Sequence, residues 1–135
     1  MGIYVALGSN LPSIYGPPRE TLEAAILILG HGHIQIERRS RWYFSEAYPD
    51  PNDPPFINGV VRLSTNLSPR ALLMRLHEIE RDFGRRRREK WSPRTLDLDL
   101  LDYQGRILGG ASGDPKLPHP RLAERAFVLL PLKDV

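Results

Sequence analysis

The stretch TLDLDLLDY, residues 95–103, decides how this chain is read. In a strand, side chains alternate between faces, so Leu96, Leu98 and Leu100 point one way while Asp97, Asp99 and Leu101 point the other. The leucines are expected to face a helical layer. The two aspartates then share the opposite face, with Cα atoms about 6.5–7 Å apart for two residues of rise. Carboxylates at that separation repel, and partial burial raises the cost unless cations compensate. One reading is a solvated sheet face whose acids pair with arginines. The other is a divalent-metal site, because hard oxygen donors suit Mg²⁺, which takes one or two carboxylates together with waters and phosphate oxygens.

Cations stand directly upstream. Arg81, Arg85, Arg86, Arg87, Arg88, Lys90 and Arg94 face only Asp82 and Glu89 within the same stretch, although the whole chain carries a net charge of just +3. Taken alone, such a run is either a solvated surface or the binding side for an anion: small-molecule phosphates, nucleic acid or a membrane surface. Metal-binding acids and arginines together fit a polyphosphate. Phosphoryl transfer depends on positioning and on charge neutralisation over phosphate oxygens. No P-loop of the form GxxxxGK[ST] occurs, so separate residues would have to hold a nucleotide. Trp91, among polar neighbours, is either a loop anchor or a stacking surface for a flat ring.

Working outward, residues 3–10 (IYVALGSN) read as a β-rich run closed by a turn. Residues 19–30 follow with Leu22, Ala25, Ile26 and Leu29 at helical spacing, ended by Gly30. Residues 33–44 (HIQIERRSRWYF) suggest a second strand, and 45–56 a long proline-rich loop. Residues 56–67 form a third strand. Residues 68–84 are the clearest helix, with Ser68 as N-cap, Pro69 in first position, and Leu72, Leu73, Leu76, Ile79, Glu80 and Phe83 on one face. Strand four is residues 95–103; GRILGG adds a short strand after the Gln104-Gly105 turn, and residues 122–132 a short helix passing into an apolar tail. The order β-α-β-β-α-β predicts an α+β, ferredoxin-like sandwich: one mainly antiparallel sheet with helices on one face.

The 135 residues suit one domain with one core. The absence of cysteine excludes disulfides and thiolate metal sites and agrees with a reducing cytoplasm. No apolar run reaches the roughly 18–20 residues of a membrane helix. The opening residues, MGIYVALGSN, read as a buried strand rather than a secretory signal or myristoylation site.

GRRRREKWSPRTLDLDLL, residues 84–101, strongly resembles the signature GRxRxxRWxPRTxDLD of the 6-hydroxymethyl-7,8-dihydropterin pyrophosphokinase family. VALGSNL resembles that family's first strand and turn, PPFINGVV its pterin-contacting strand, and LPHPRLAERAFVLLPL its closing motif. The resemblance covers nearly the whole chain in order and implies the ferredoxin-like sandwich. It also implies an ATP-dependent diphosphotransferase of folate biosynthesis, which moves pyrophosphate from ATP to the pterin hydroxymethyl group and releases AMP. It implies two Mg²⁺ ions, with Asp97 and Asp99 as ligands, and small-molecule partners only, without nucleic acid or membrane. A cytoplasmic monomer is expected, with residues 1–135 forming a single pyrophosphokinase domain that ends before the family's usual C-terminal extension.

Position by position, the resemblance assigns Arg85 to the chemical step and Arg94 to gripping phosphate. Arg87, Lys90 and Trp91 match loop positions near ATP, and Trp91 also folds over the pterin. His77, Glu80 and Leu100 match positions lining the nucleotide, with Glu80 alternatively pairing with a basic neighbour such as Arg81 or Arg85. His119 and Arg125 match phosphate contacts. Ser45, Ala47, Tyr48, Phe56, Asn58, Asp97 and Phe127 match pterin-binding positions, with Asn58 reading the ring edge and the phenylalanines stacking. Lys90 stands where arginine is usual and Ser92 where glycine is common; lysine keeps the charge but loses the planar fork. A basic ferredoxin-like RNA-binding module is the alternative, in which aromatics on the central strands would stack on bases.

Overall fold

The computed structural model describes residues 2–45, 52, 55–84, 95–120 and 131–135. Among these, the order is β1 (Ile3–Ser9), α1 (Pro18–Leu29), β2 (Ile34–Arg39), β3 (Tyr43–Ser45), β4 (Phe56–Thr65), α2 (Pro69–Asp82), β5 (Asp97–Tyr103), β6 (Leu108–Gly109) and β7 (Lys116–Leu117). The main sheet has the strand order β2-β4-β1-β5, with β3 also pairing with β4, and every pairing in it is antiparallel. Each helix therefore connects two strands that lie one strand apart, which is the ferredoxin-like arrangement expected from the element order.

Both helices lie against one face. Ile3, Val5 and Leu7 of β1, Val61 and Leu63 of β4, and Leu96, Leu98 and Leu100 at β5 pack with Leu22, Ala25, Ile26 and Leu29 of α1 and Leu72, Leu76, Ile79 and Phe83 of α2. Each fully buried aliphatic side chain contributes about 1.5–3 kcal/mol through loss of water contact. On α2, Ser68 caps as expected: its Oγ accepts the Ala71 N–H at 3.1 Å, and Pro69 follows in the first turn, where a missing N–H costs nothing. Leu73 is only half-buried, at the edge of that helix's packed face.

The expected single second strand is interrupted. β2 and β3 both pair with β4, and Ser40, Arg41 and Trp42 separate them. Ser40 keeps the edge bonded there, its N–H donating to the Val60 carbonyl at 2.8 Å and its Oγ accepting the Val60 N–H at 2.9 Å. Trp42 meanwhile lies over Gly59, where a β-carbon would come within 2.5 Å of the indole. The indole N–H donates to Glu23 of α1 at 2.8 Å, and Arg39 forms an ion pair with the same carboxylate. That hydrogen bond from Arg39 is the main reason the Glu23 carboxyl is held below the usual range.

β5 contains an irregularity as well. Tyr4 pairs with Asp102 but Val5 with Leu100, so Leu101 is an extra residue in the ladder. Leu101 joins Ala6 and Val60 on the face away from the helices, while Tyr103 returns to the helix-packed core. β6 is present as expected, and it pairs with β7, which the sequence reading did not anticipate. The expected helix over residues 122–132 falls largely outside the described residues, where only Pro131 and Leu132 are seen to be helical.

Candidate active site

The face without helices carries the chemistry-bearing side chains. In the strand register, Gly8 pairs with Asn58 on one side and Asp97 on the other, and Ala6 pairs likewise with Val60 and Asp99. Tyr43 stands opposite Asn58, and Ser45 opposite Phe56. Asp97, Asp99, Asn58, Phe56 and Ser45 thus come together on one end of the open face, from strands β3, β4 and β5. Asp97 and Asp99 are half-buried, as the strand alternation predicts, with their leucine neighbours in the helical core.

β5 is held in place from both sides near these acids. The buried Glu80 of α2 accepts the Leu98 N–H with its Oε2 at 2.7 Å. The fully buried Ser9 places its Oγ 2.6 Å from the Thr95 carbonyl oxygen. Glu80 thus grips the β5 backbone, a contact the sequence could not reveal, while Arg85, one partner that the sequence offered for it, lies outside the described residues. His119 donates its backbone N–H to the Leu101 carbonyl at 2.9 Å, and its Nε2 lies 3.8 Å from Asp99 Oδ1. That separation is beyond a hydrogen bond but within range of an ion pair when the imidazole is protonated. His77 is half-buried one turn before Glu80.

Leu100 stands on β5 with its side chain turned away from the open face. Its side chain is 3% exposed and belongs to the helix-packed core, because it alternates with Asp99 and Leu101. Any role toward a nucleotide falls to its main chain. Arg85, Arg87, Lys90, Trp91, Arg94, Arg125, Ala47, Tyr48 and Phe127 lie outside the described residues.

Asn58 is buried, and its Nδ2 donates to Ser45 Oγ at 3.2 Å, which ties the β4 amide to β3. The other end of the open face is closed. Leu132 and Val135 pack on Ala6, Val60 and Leu101. Asp134 accepts the Arg41 N–H at 3.0 Å and the Tyr43 hydroxyl at 2.9 Å, with the Arg41 guanidinium beside it. The bonds from Arg41 hold the Asp134 carboxyl below the usual range, and the same contact raises Arg41. The Arg41–Asp134–Tyr43 contact was not foreseen from the sequence; its partners are 93 and 91 residues apart.

The donors fit a hard divalent cation that is completed by waters or phosphate. Two carboxylates share one face, yet among the described residues no group of three His, Cys, Asp or Glu side chains is placed to enclose a metal. The family model for 7,8-dihydro-6-hydroxymethylpterin-pyrophosphokinase (HPPK) matches residues 4–135. This chain belongs to the HPPK family. It is 47% identical over 136 residues to a 2-amino-4-hydroxy-6-hydroxymethyldihydropteridine pyrophosphokinase from Synechocystis sp., covering 99% of this chain and 66% of that relative. The similarly named protein of Pseudomonas aeruginosa is 41% identical over 98% of this chain and 79% of its own length. In Arabidopsis thaliana, a mitochondrial folate synthesis bifunctional protein is 38% identical, with this HPPK chain covering 23% of it.

Proposed function

We propose that this chain transfers the pyrophosphoryl group of ATP to the hydroxymethyl group of 6-hydroxymethyl-7,8-dihydropterin, in folate biosynthesis. The pterin oxygen bonds to the β-phosphorus while the bond between that phosphorus and the α–β bridging oxygen breaks. The hydroxyl proton is lost and AMP departs with the bridging oxygen, giving the pterin diphosphate. The observation that carries this reading is the single open face on which Asp97 and Asp99 stand across Gly8 and Ala6 from Asn58. It supports a reading in which a metal–polyphosphate and a hydrogen-bonding heterocycle are held one strand apart.

Asp97 and Asp99 would hold two Mg²⁺ ions, whose charge there offsets that developing on the β-phosphoryl oxygens. Asn58 reads the pterin amide edge with Phe56 beside it, and Ser45 fixes the Asn58 amide. His119, next to Asp99, is placed on the phosphate side. Arg85 and Arg94 take the phosphate-neutralising roles, Arg87, Lys90, Arg125, His77 and Glu80 belong to the nucleotide side, and Trp91 and Phe127 stack. Ala47 and Tyr48 contribute mainly backbone groups to the pterin. These assignments rest on motif position in the HPPK signature. We also propose that residues 1–135 act as one domain, as a monomer in the cytoplasm.

Among the described residues, no helix is long and apolar enough to cross a membrane. The RNA-binding alternative gains no support from the centre of the open face. There β1 and β4 present Gly8, Ala6, Asn58 and Val60, beside two carboxylates that would repel a phosphate backbone. The test is mass spectrometry of the protein with ATP, Mg²⁺ and the hydroxymethyl-dihydropterin. AMP and pterin diphosphate should form in equal amounts; their absence, with the protein folded, refutes the activity.

A further inference from the structure

Gly8 is the one open-face position of the Asn58–Gly8–Asp97 row that the proposed reaction leaves without a task. Its backbone is not in the left-handed region, unlike six other glycines of the described chain, so conformation does not require glycine here. Space does. A β-carbon at Gly8 would stand 2.8 Å from Asn58 Oδ1 and 3.8 Å from the Ile57 carbonyl oxygen. Asn58 has little freedom to retreat, being 7% exposed and bonded through Nδ2 to Ser45 Oγ. Its carboxamide oxygen therefore lies over a strand that offers no side chain, toward the neighbouring strand that carries Asp97. Glycine inside a strand weakens it, and it commonly marks a place where another group must approach closely.

We infer that Gly8 is a positioning residue for the pterin. The missing side chain lets the Asn58 carboxamide lie flat across β1 and leaves an open strip between Asn58 and Asp97. Two strand spacings make that strip about 9.5 Å from backbone to backbone. A flat bicyclic heterocycle with an amide edge at Asn58 fits along it, with its alcohol arm toward Asp97. Gly8 thus sets where the ring sits relative to the carboxylates, through Asn58 and without touching the reacting atoms. This inference rests on the pterin reading proposed above.

Calorimetric titration of 6-hydroxymethyl-dihydropterin, with Mg²⁺ and a non-hydrolysable ATP analogue present, tests it on four proteins: wild type, Gly8→Ala, Asn58→Ala and the double variant. Gly8→Ala should lose about tenfold in pterin affinity, the loss of one well-placed hydrogen bond, with affinity for the ATP analogue unchanged. Asn58→Ala and the double variant should bind pterin equally, because the added methyl then has nothing to displace. Wild-type affinity in Gly8→Ala overturns the inference, and so does a further loss in the double variant beyond Asn58→Ala. Should Gly8→Ala fail to fold, the double variant must fold and bind pterin as Asn58→Ala does, since removing the Asn58 carboxamide removes the clash; a double variant that also fails to fold overturns the inference. Failure of the wild type to bind pterin would refute the proposed function itself, and the inference with it.

Discussion

The two faces of the sheet follow opposite rules. On the helix-packed face, Val5, Leu7, Leu98 and Leu100 are buried and apolar, and what matters is that their volumes fill the space under α1 and α2. On the open face, one end is apolar under Leu132 and Val135, while the other end carries Asn58, Asp97 and Asp99 beside Phe56. Successive residues of one strand therefore answer to different demands. Leu98 fills the core, and its two neighbours carry the proposed chemistry.

The sharpest way to break this contrast is to mutate adjacent residues of β5. Asp97→Ala or Asp99→Ala should lower turnover by about 10²–10³-fold or more, as for loss of a group that stabilises developing charge. Thermal stability should hardly change, which paired activity and melting measurements would show. Leu98→Ala should do the reverse, costing about 2–5 kcal/mol in denaturant unfolding through the cavity it leaves. Near-normal turnover in Asp97→Ala would end the distinction between faces.

Two glycines sharpen the comparison at a smaller scale. Gly59 lies under Trp42, and Gly8 under Asn58. Trp42 is tied to Glu23, so Gly59→Ala overpacks a fixed indole and should cost about 1–3 kcal/mol, appearing as a lower midpoint in urea. Gly8→Ala should cost less stability than Gly59→Ala. The opposite ranking would mean that the open face is packed as tightly as the helical one.

Glu80 joins the faces, because a helix carboxylate grips the backbone between the two aspartates. Glu80→Ala leaves the buried Leu98 N–H without that acceptor, at a cost of about 1–3 kcal/mol. Glu80→Gln keeps an acceptor oxygen and should recover most of that loss in the same unfolding experiment. If both variants were equally unstable, charge rather than the hydrogen bond would be responsible.

The smallest effect is expected at Glu23. Its folded-state carboxyl is held below the ordinary value, chiefly by the bond from Arg39, so it contributes stability above that ordinary value. The contribution disappears as pH falls through the lowered one. Melting temperature should therefore fall on acidification slightly more in the wild type than in Glu23→Gln, and identical pH profiles would contradict this.

Much of this arrangement was legible in local patterns. Alternation in residues 96–101 told which side chains of that part of the strand go to the core, and the Ser68-Pro69 start marked α2 because cap and first-turn chemistry are local. What escaped depends on pairing. The break at Ser40–Trp42 exists because Trp42 needs the space above Gly59 in another strand, and no periodicity reports that. The Arg41–Asp134 contact and the Glu80–Leu98 bond likewise need the fold to bring their partners together. Motif position put Leu100 among the nucleotide positions without saying which face its side chain takes; strand alternation supplied that.

The extra residue at Leu101 has a consequence for how this strand can vary. Upstream of it the odd-numbered residues face outward; downstream, Tyr103 faces inward and its hydroxyl donates to the Leu67 carbonyl. The strand carries a built-in phase shift, so its two halves are set independently against β1. Removing one residue between Asp99 and Tyr103 would force a choice between keeping the acids outward and keeping the tyrosine inward. The length of this segment is therefore as tightly set as its sequence, and single-residue insertions or deletions would disturb the proposed site as surely as loss of an aspartate.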